Sequence, residues 1–466
     1  MFTVTPIRSL QDFRRDKYRY DQFESTAEIT DTIIDNLHDN RRALKACSLV
    51  RRDWKPAARL HLFNSMSAAP EKCSFNETVA FLVSKVDIAP HIEHFSLSGY
   101  RGISFADLEA LLKTLPNLRT LTISGVYISK SLSDPEVTTA SAPSTPASLD
   151  TLRIKECNVI EEGVDTFFPL LGLFSRIDHL YISTWRGSGL VRNSRDLDDL
   201  EDRMGFIFPP HLQILNLTLG SLPMKFLAQL CHPWSLPFWE SIHNIDLQGV
   251  AASWAEIKQL GNLFSSHGSQ LRRVSIKASP SLVQPEGHVR TVRPLGLGVY
   301  FNTDLPPLPA QIRDTKKDWK ALRLKECAAL EAFTLILDHK SDDDHRVGRE
   351  TFSIAVDLLT HLPSHVRQVR IDMIPRFNGE RMDPLIFDTR PFESPPAKLL
   401  FEDLDWQTLD KVLSAPRFDN LTVILEVVRL KDTFTRRRCW AVVDNIRDYL
   451  PLLSSRNMLA FAVRDE

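Results

Sequence analysis

The sequence predicts an α/β chain: a short N-terminal helical module, then a long array of strand-and-helix repeats. The strands would stack into one curved parallel sheet with helices on its convex side. An apolar triplet at positions i, i+3 and i+5 recurs along most of the chain at intervals of about thirty residues, and helix-period segments lie between many of its copies. The residues that follow Ser25 are set apart by three short helix patterns, packed together before any triplet begins.

Residues 1–24 read as an extension, flexible or a single helix, and the module spans residues 25–66. Ser25 followed by Glu28 is a capping box that starts the first helix. Ile29, Ile33 and Leu37 recur at four-residue steps and lay one apolar stripe along it. Ile33 and Ile34 are adjacent and point about 100° apart, so at most one faces a core squarely. Leu44, Cys47, Val50 and Trp54 mark the second helix and the turn after it, and Ala58, Leu62 and Phe63 mark the third. Trp54 is expected to be buried between the second and third helices and the start of the sheet. Helices this short bury little surface alone, so apolar residues left at the module's edge need a partner or the rest of the chain.

The order of residues here is Glu28-Ile29, Ile33-Ile34-Asp35-x-Leu37, the charged turn Asp39 to Arg42, Ala43-Leu44-x-Ala46-Cys47-Ser48-Leu49-Val50, Arg52-x-Trp54, then Arg59, His61, Leu62 and Phe63. It resembles the F-box, the motif by which substrate receptors join SCF-type ubiquitin ligases, and in particular fungal F-box-like domains. Ser25 and Thr26 stand where that family opens with Leu-Pro, and Val50-Arg51 stands where it has Val-Cys. The resemblance implies that the SCF adaptor subunit is a partner and that Ile29, Ile33, Ile34, Leu37, Leu44, Val50 and Trp54 form the adaptor-binding set.

From residue 67 to 466 the triplets succeed one another: Ile92/Phe95/Leu97, Leu118/Leu121/Ile123, Leu149/Leu152/Ile154, Ile177/Leu180/Ile182, Leu212/Leu215/Leu217, Ile242/Ile245/Leu247 and Leu271/Val274/Ile276, with starts 26 to 35 residues apart. Copies at Leu330/Phe333/Leu335, Val366/Val369/Ile371, Phe418/Leu421/Val423 and Met458/Phe461/Val463 come at longer intervals, with a weaker one near Leu295 to Phe301. Helical segments at Phe105–Leu115, Gly163–Phe174, Trp254–Phe264, Thr351–His361, Trp406–Leu413 and Cys439–Leu453 fill the intervals. Leu121, Leu152, Leu180, Leu215, Ile245 and Val274 are predicted to form one continuous buried row. The pattern resembles degenerate leucine-rich repeats, whose units end in Asn or Cys three residues after the last leucine; the third copy keeps that residue as Cys157. The competing arrangement is a two-domain doubly wound sheet, which strand order distinguishes; no Gly-rich phosphate loop follows any of these strands. Three stretches interrupt the rhythm as loop insertions, at about residues 131–148, 279–311 and 374–398. Thr145-Pro146, in the first, fits a proline-directed kinase.

A net charge of -2 and a pI near 6.7 give no basic footprint for nucleic acid, and no run of twenty apolar residues would span a membrane. The first residues are too charged for a signal peptide, so the expected compartment is cytoplasmic or nuclear. Six cysteines lie singly with no Cys-x-x-Cys, which argues against a disulfide framework or a zinc site. The Asp338–Arg346 tract mixes carboxylates and histidines without fixed ligand spacing and reads as a solvated turn, so no metal or cofactor is expected. No Gly-x-Ser-x-Gly, P-loop or His-Glu-x-x-His occurs, and no catalytic residue is assigned.

Strand side chains alternate faces, so residues between the triplet positions point away from the helices. Among them Arg153, Lys155, Tyr181, Asn216, Asp246, Arg273 and Lys277 are the candidates for contact with a target protein, since Arg and Tyr are enriched at interface centres. The expected function is a non-catalytic substrate receptor, its helical module on the adaptor and its repeats on a target. The alternative is an interaction scaffold in which the helices only cap the first strand.

Overall fold

The computed structural model describes residues 25–129, 146–157, 164–183, 209–278 (apart from 210, 221, 223, 232–234 and 249–253), 319–340, 345–376, 404–429 (apart from 419) and 436–465. The chain divides into two compact units, Met1–Asp134 and Pro135–Glu466. The helical module and the first strands therefore share one unit.

In the first unit, α1 (Ser25–Asp35), α2 (Arg41–Val50) and α3 (Lys55–Phe63) pack around Ile34, Leu44 and Ala58, all fully buried, with Leu37, Cys47, Trp54, Ala57 and Leu62 half-buried against them. Asn40 caps α2 by accepting from the Ala43 amide at 3.1 Å. The side chains of Ser25 and Glu28, the expected capping box, lie outside the described residues. Trp54 is half-buried, short of the full burial its spacing suggests: it sits in the short 3₁₀ turn Arg52–Trp54 at the rim of a core too thin to enclose an indole.

Three parallel strands come next in chain order, β1 (Ser65–Ala68), β2 (His94–Ser98) and β4 (Thr120–Ser124), with Ala68 beside Leu97 and Leu97 beside Ile123. Two helices, α4 (Phe75–Ser84) and α5 (Phe105–Thr114), open with complete capping boxes, Ser74/Glu77 and Ser104/Asp107. Two short strands, β3 (Arg101–Ser104) and β5 (Tyr127–Ser129), form a second parallel pair that the triplet pattern does not announce. Each is reached through a Ser-Gly turn in which the glycine is left-handed: Gly99 at φ 72° and Gly125 at φ 60°. Gly99 N–H donates to the Ser124 carbonyl at 2.9 Å. At the same place in the next repeat Glu156 takes φ 53° and donates to the Ser183 carbonyl at 2.9 Å, a conformation that costs any residue with a Cβ.

Among its described residues the second unit holds nine parallel strands in sequential order: β6 (Ala147–Lys155), β7 (Phe174–Ser183), β8 (Gln213–Leu219), β9 (Asn244–Leu247), β10 (Arg273–Ala278), β11 (Ala332–Lys340), β12 (Gln368–Arg376), β13 (Thr422–Arg429) and β14 (Leu459–Asp465). The order never doubles back, as a doubly wound sheet would. Between strands lie α6 (Val164–Leu171), α7 (Met224–Leu230), α8 (Leu236–Trp239), α9 (Trp254–His267), α10 (His345–Thr360), α11 (Trp406–Leu413), α12 (Arg436–Asp448) and α13 (Pro451–Ser455); two 3₁₀ turns at Trp319–Leu322 and Leu324–Glu326 precede β11. Phe174, expected at a helix end, opens β7 instead.

Register builds two core rows. One runs Leu152, Leu180, Leu217, Ile245, Val274, Phe333, Val369 and Val423; the other runs Ile154, Ile182, Leu219, Leu247, Ile276, Leu335, Ile371 and Leu425. All sixteen are buried. The expected row member Leu215 is a correction: it is half-buried, and Leu217 pairs with Leu180 in its place. Spacing alone sets the β8 triplet two residues early, because Leu212, Ile214, Leu215, Leu217 and Leu219 give that strand several apolar triplets to choose from. Phe167, Phe168, Phe226, Phe238 and Trp239 form an edge-to-face cluster between α6, α7 and α8. His267 stacks on Trp239 with centroids 5.9 Å apart, buried, and burial lowers its pKa. Neither of its ring nitrogens has a hydrogen-bond partner among the described residues.

The insertions at 279–311 and around 131–145, with Thr145 and the weak copy near Leu295, lie outside the described residues. The third is shorter than expected at its start, since β12 extends to Arg376. Among the described residues no helix is long and apolar enough to cross a membrane.

Candidate functional site

Two surfaces carry the candidate residues, one in each unit. On the helical module, the helical period sends Ile34 inward and its neighbours outward. Ile29 and Ile33, one turn apart on α1, are 59% and 49% exposed, and Leu49 and Val50, at the end of α2, are 87% and 65% exposed. The set expected to bind an adaptor therefore splits. Ile29, Ile33 and Val50 are on the surface; Leu37 and Trp54 are half-buried; Ile34 and Leu44 are enclosed in the core and cannot touch a partner directly. Sequence reasoning misses Leu49 as a surface residue, although its place one residue before Val50 at the helix end is visible in the sequence. Polar contacts hold the module's shape: His61 Nε2 lies 2.7 Å from Asp35 Oδ1, joining α3 to α1, and Arg41 donates to the Leu62 carbonyl at 3.2 Å.

The module is also fastened to the strands after it. Arg59 forms an ion pair with Asp87, and the Asn64 carbonyl, at the end of α3, accepts from the amides of Glu93 and His94 at 3.0 and 2.9 Å, so that helix and first strands are continuous through backbone hydrogen bonds.

In the second unit, the face opposite the core rows carries the expected partner-binding residues in three lateral rows. Arg153, Tyr181 and Asp246 share one row, Asn216 and Arg273 a second, and Lys155 and Lys277 belong to the third, which continues to Asp372 and Glu426. Lys155 Nζ lies 5.3 Å from the centre of the Tyr181 ring. Asn216 is committed to the sheet itself: its amide donates to the Asp178 carbonyl at 2.8 Å, and its oxygen accepts from Asn244 at 2.6 Å. Arg153 and Arg273 are exposed. Asp246 accepts from Gln248 at 2.8 Å; burial holds its carboxyl above the usual range, opposed by hydrogen bonds from Gln248 and Ser275 and by the Lys277 charge.

Sequence reasoning does not single out an ionic cluster on β12–β14. Arg370 donates to Asp372 Oδ1 at 2.6 Å and to Glu426, while Arg464 reaches Asp372 Oδ2 at 3.3 Å and Glu426 Oε2 at 3.8 Å. Both carboxylates are buried and each is shared by two guanidinium groups. The signal that could have found them is the continued alternation beyond the triplets, which puts Asp372 and Glu426 on the polar face next to Ile371 and Leu425.

Burial pushes the thiols of Cys231 and Cys327 up to about 12 and raises that of Cys439, which keeps them protonated and poor nucleophiles at neutral pH. Cys157, the residue that keeps the repeat consensus, is buried and donates to the Lys155 carbonyl at 3.1 Å. Among the described residues no group of three or more His, Cys, Asp or Glu could hold a metal ion. No family model matches the chain, and no curated protein matches it.

Proposed function

We propose that this protein is a non-catalytic substrate receptor of an SCF-type ubiquitin ligase: its F-box-like helices bind the adaptor subunit, and a degenerate leucine-rich-repeat solenoid binds a target protein. The observation that carries the reading is the apolar surface of the module. Ile29, Ile33, Leu49 and Val50 are exposed on helices whose core closes without them, an arrangement that favours association. Sequential parallel strands with intervening helices support the solenoid, and its polar face, with Arg153, Lys155, Tyr181, Arg273 and Lys277, suits a protein target in the cytoplasm or nucleus.

The test is binding of the purified full chain to the adaptor at micromolar concentration, read by calorimetry. Ile33→Asp and Val50→Asp should each weaken binding by about tenfold or more with an unchanged circular dichroism spectrum. A wild-type chain that does not bind would overturn the proposal in favour of the scaffold reading. One observation already favours that second reading: α3 passes through Asn64 into the backbone ladder of β1 and β2, as a cap on a first strand should.

A further inference from the structure

Among the described strands β14 has one neighbour, β13, and none of them pairs with its other edge. Val423 of β13 donates its N–H to the carbonyl of Met458, just before β14, at 2.7 Å and pairs with Leu459, so the parallel ladder uses the backbone groups of Met458, Ala460, Ala462 and Arg464. The N–H and C=O groups of Leu459, Phe461, Val463 and Asp465 point the other way, and no described strand pairs with them. The core is open at the same place. Leu459, Phe461 and Val463 are half-buried, although their register partners Val423, Leu425 and Val427 are buried. In this unit the exposed large hydrophobics among the described residues are Trp440, Tyr449 and Leu452, all within or between α12 and α13, just before β14. A seven-residue edge of sequence Leu-Ala-Phe-Ala-Val-Arg-Asp has no proline, lysine or bulge to discourage pairing.

The geometry points to a second copy of this chain as the partner of this edge: two β14 strands joined antiparallel about a two-fold axis through Ala462. The strand's own order selects that occupant. With Ala462 opposite its symmetry mate, Phe461 lies opposite Val463 of the other copy and Leu459 opposite Asp465, so every outward-pointing residue meets another and can exchange both backbone hydrogen bonds. The aromatic residue meets a β-branched one on the apolar face, a favourable cross-strand pair. On the other face Arg464 lies opposite Ala460, and no charge meets its like. Sliding the pairing until Arg464 faces its own mate would bring two guanidinium groups together, which disfavours that register. Arg464 stays free to hold Asp372 and Glu426, and Arg429 to hold Asp465.

Sedimentation equilibrium of the full chain from about 1 to 100 µM tests this, with three variants. The wild type should sediment as a concentration-dependent dimer. Val463→Pro removes an outward N–H and spares the ladder to β13. Ala462→Lys places two ammonium groups across the axis, each near its own Glu426. Each should weaken dimerisation about tenfold or more while the thermal unfolding profile keeps its shape. Ala462→Cys should form a symmetric disulfide under mild oxidation, since residues facing each other at a pair without hydrogen bonds are about 4.5 Å apart at Cα, within disulfide reach; peptide mass spectrometry would identify it. A wild type that remains monomeric at about 100 µM overturns the inference, as does a dimer that resists both edge variants and gives no 462–462 crosslink.

Discussion

The helical module and the nine-stranded sheet allocate apolar surface in opposite ways. The module encloses three side chains, Ile34, Leu44 and Ala58, and leaves Ile29, Ile33, Leu49 and Val50 in solvent. The sheet encloses two uninterrupted rows, and among its described residues the exposed large hydrophobics lie in the segment around α12 and α13. Placing apolar residues on the outside leaves a small core, so the module should be the less stable part, whereas each row position from β7 to β13 is flanked by a strand on both sides.

One substitution in each core separates the two regions most strongly. Phe333→Ala, in the middle of the first row, should cost about 3 to 5 kcal/mol in global stability measured by denaturant titration, through lost burial and the cavity left behind. Ile34→Asp puts a charge in a closed apolar core and should melt the module while amide exchange in β6–β13 stays protected. Its neighbour Ile33→Asp should stay within about 0.5 kcal/mol of wild type, as surface changes do. If the two aspartates behave alike, the module has no distinct core.

The polar face of the sheet offers the next test. Arg370→Met leaves Asp372 and Glu426 sharing the Arg464 guanidinium, and should cost about 3 kcal/mol, near the low end for one-sided removal of a buried pair. Loss of much less than that would mean that water reaches the carboxylates when Arg370 leaves.

A smaller effect depends on pH. Burial holds the pKa of His267 below its ordinary value of 6.5, so the unfolded chain binds a proton in a range where the folded one does not. Stability should therefore fall as pH drops below about 6.5, by no more than about 1.4 kcal/mol per pH unit from this group. His267→Phe, which keeps a ring against Trp239, should flatten that part of the profile, seen as melting temperature against pH. The smallest expected change is a gain: Glu156→Gly relieves the left-handed backbone at φ 53° and should add up to about 1 kcal/mol. A loss there would show that the Glu156 side chain matters more than its backbone.

Much of this architecture is legible in the sequence because it rests on local rules. The spacing of apolar triplets locates most of the long strands well enough to find Leu152, Leu180, Ile245 and Val274 in one row. Alternation along each strand likewise puts Arg153, Tyr181 and Asp246 on the polar face. Where several residues satisfy the same local rule, only tertiary packing can choose. Ile33 and Ile34 fit the first helix equally well, and Ile34 is inside because Leu44 and Ala58 close on that side. Leu215 and Leu217 both fit a triplet, and β8 buries Leu217 because its neighbours β7 and β9 offer Leu180 and Ile245 at that register. The pairing of Arg370 and Arg464 with Asp372 and Glu426 joins residues up to 92 positions apart, a distance over which sequence spacing carries no information and only the stacking of strands brings charges together.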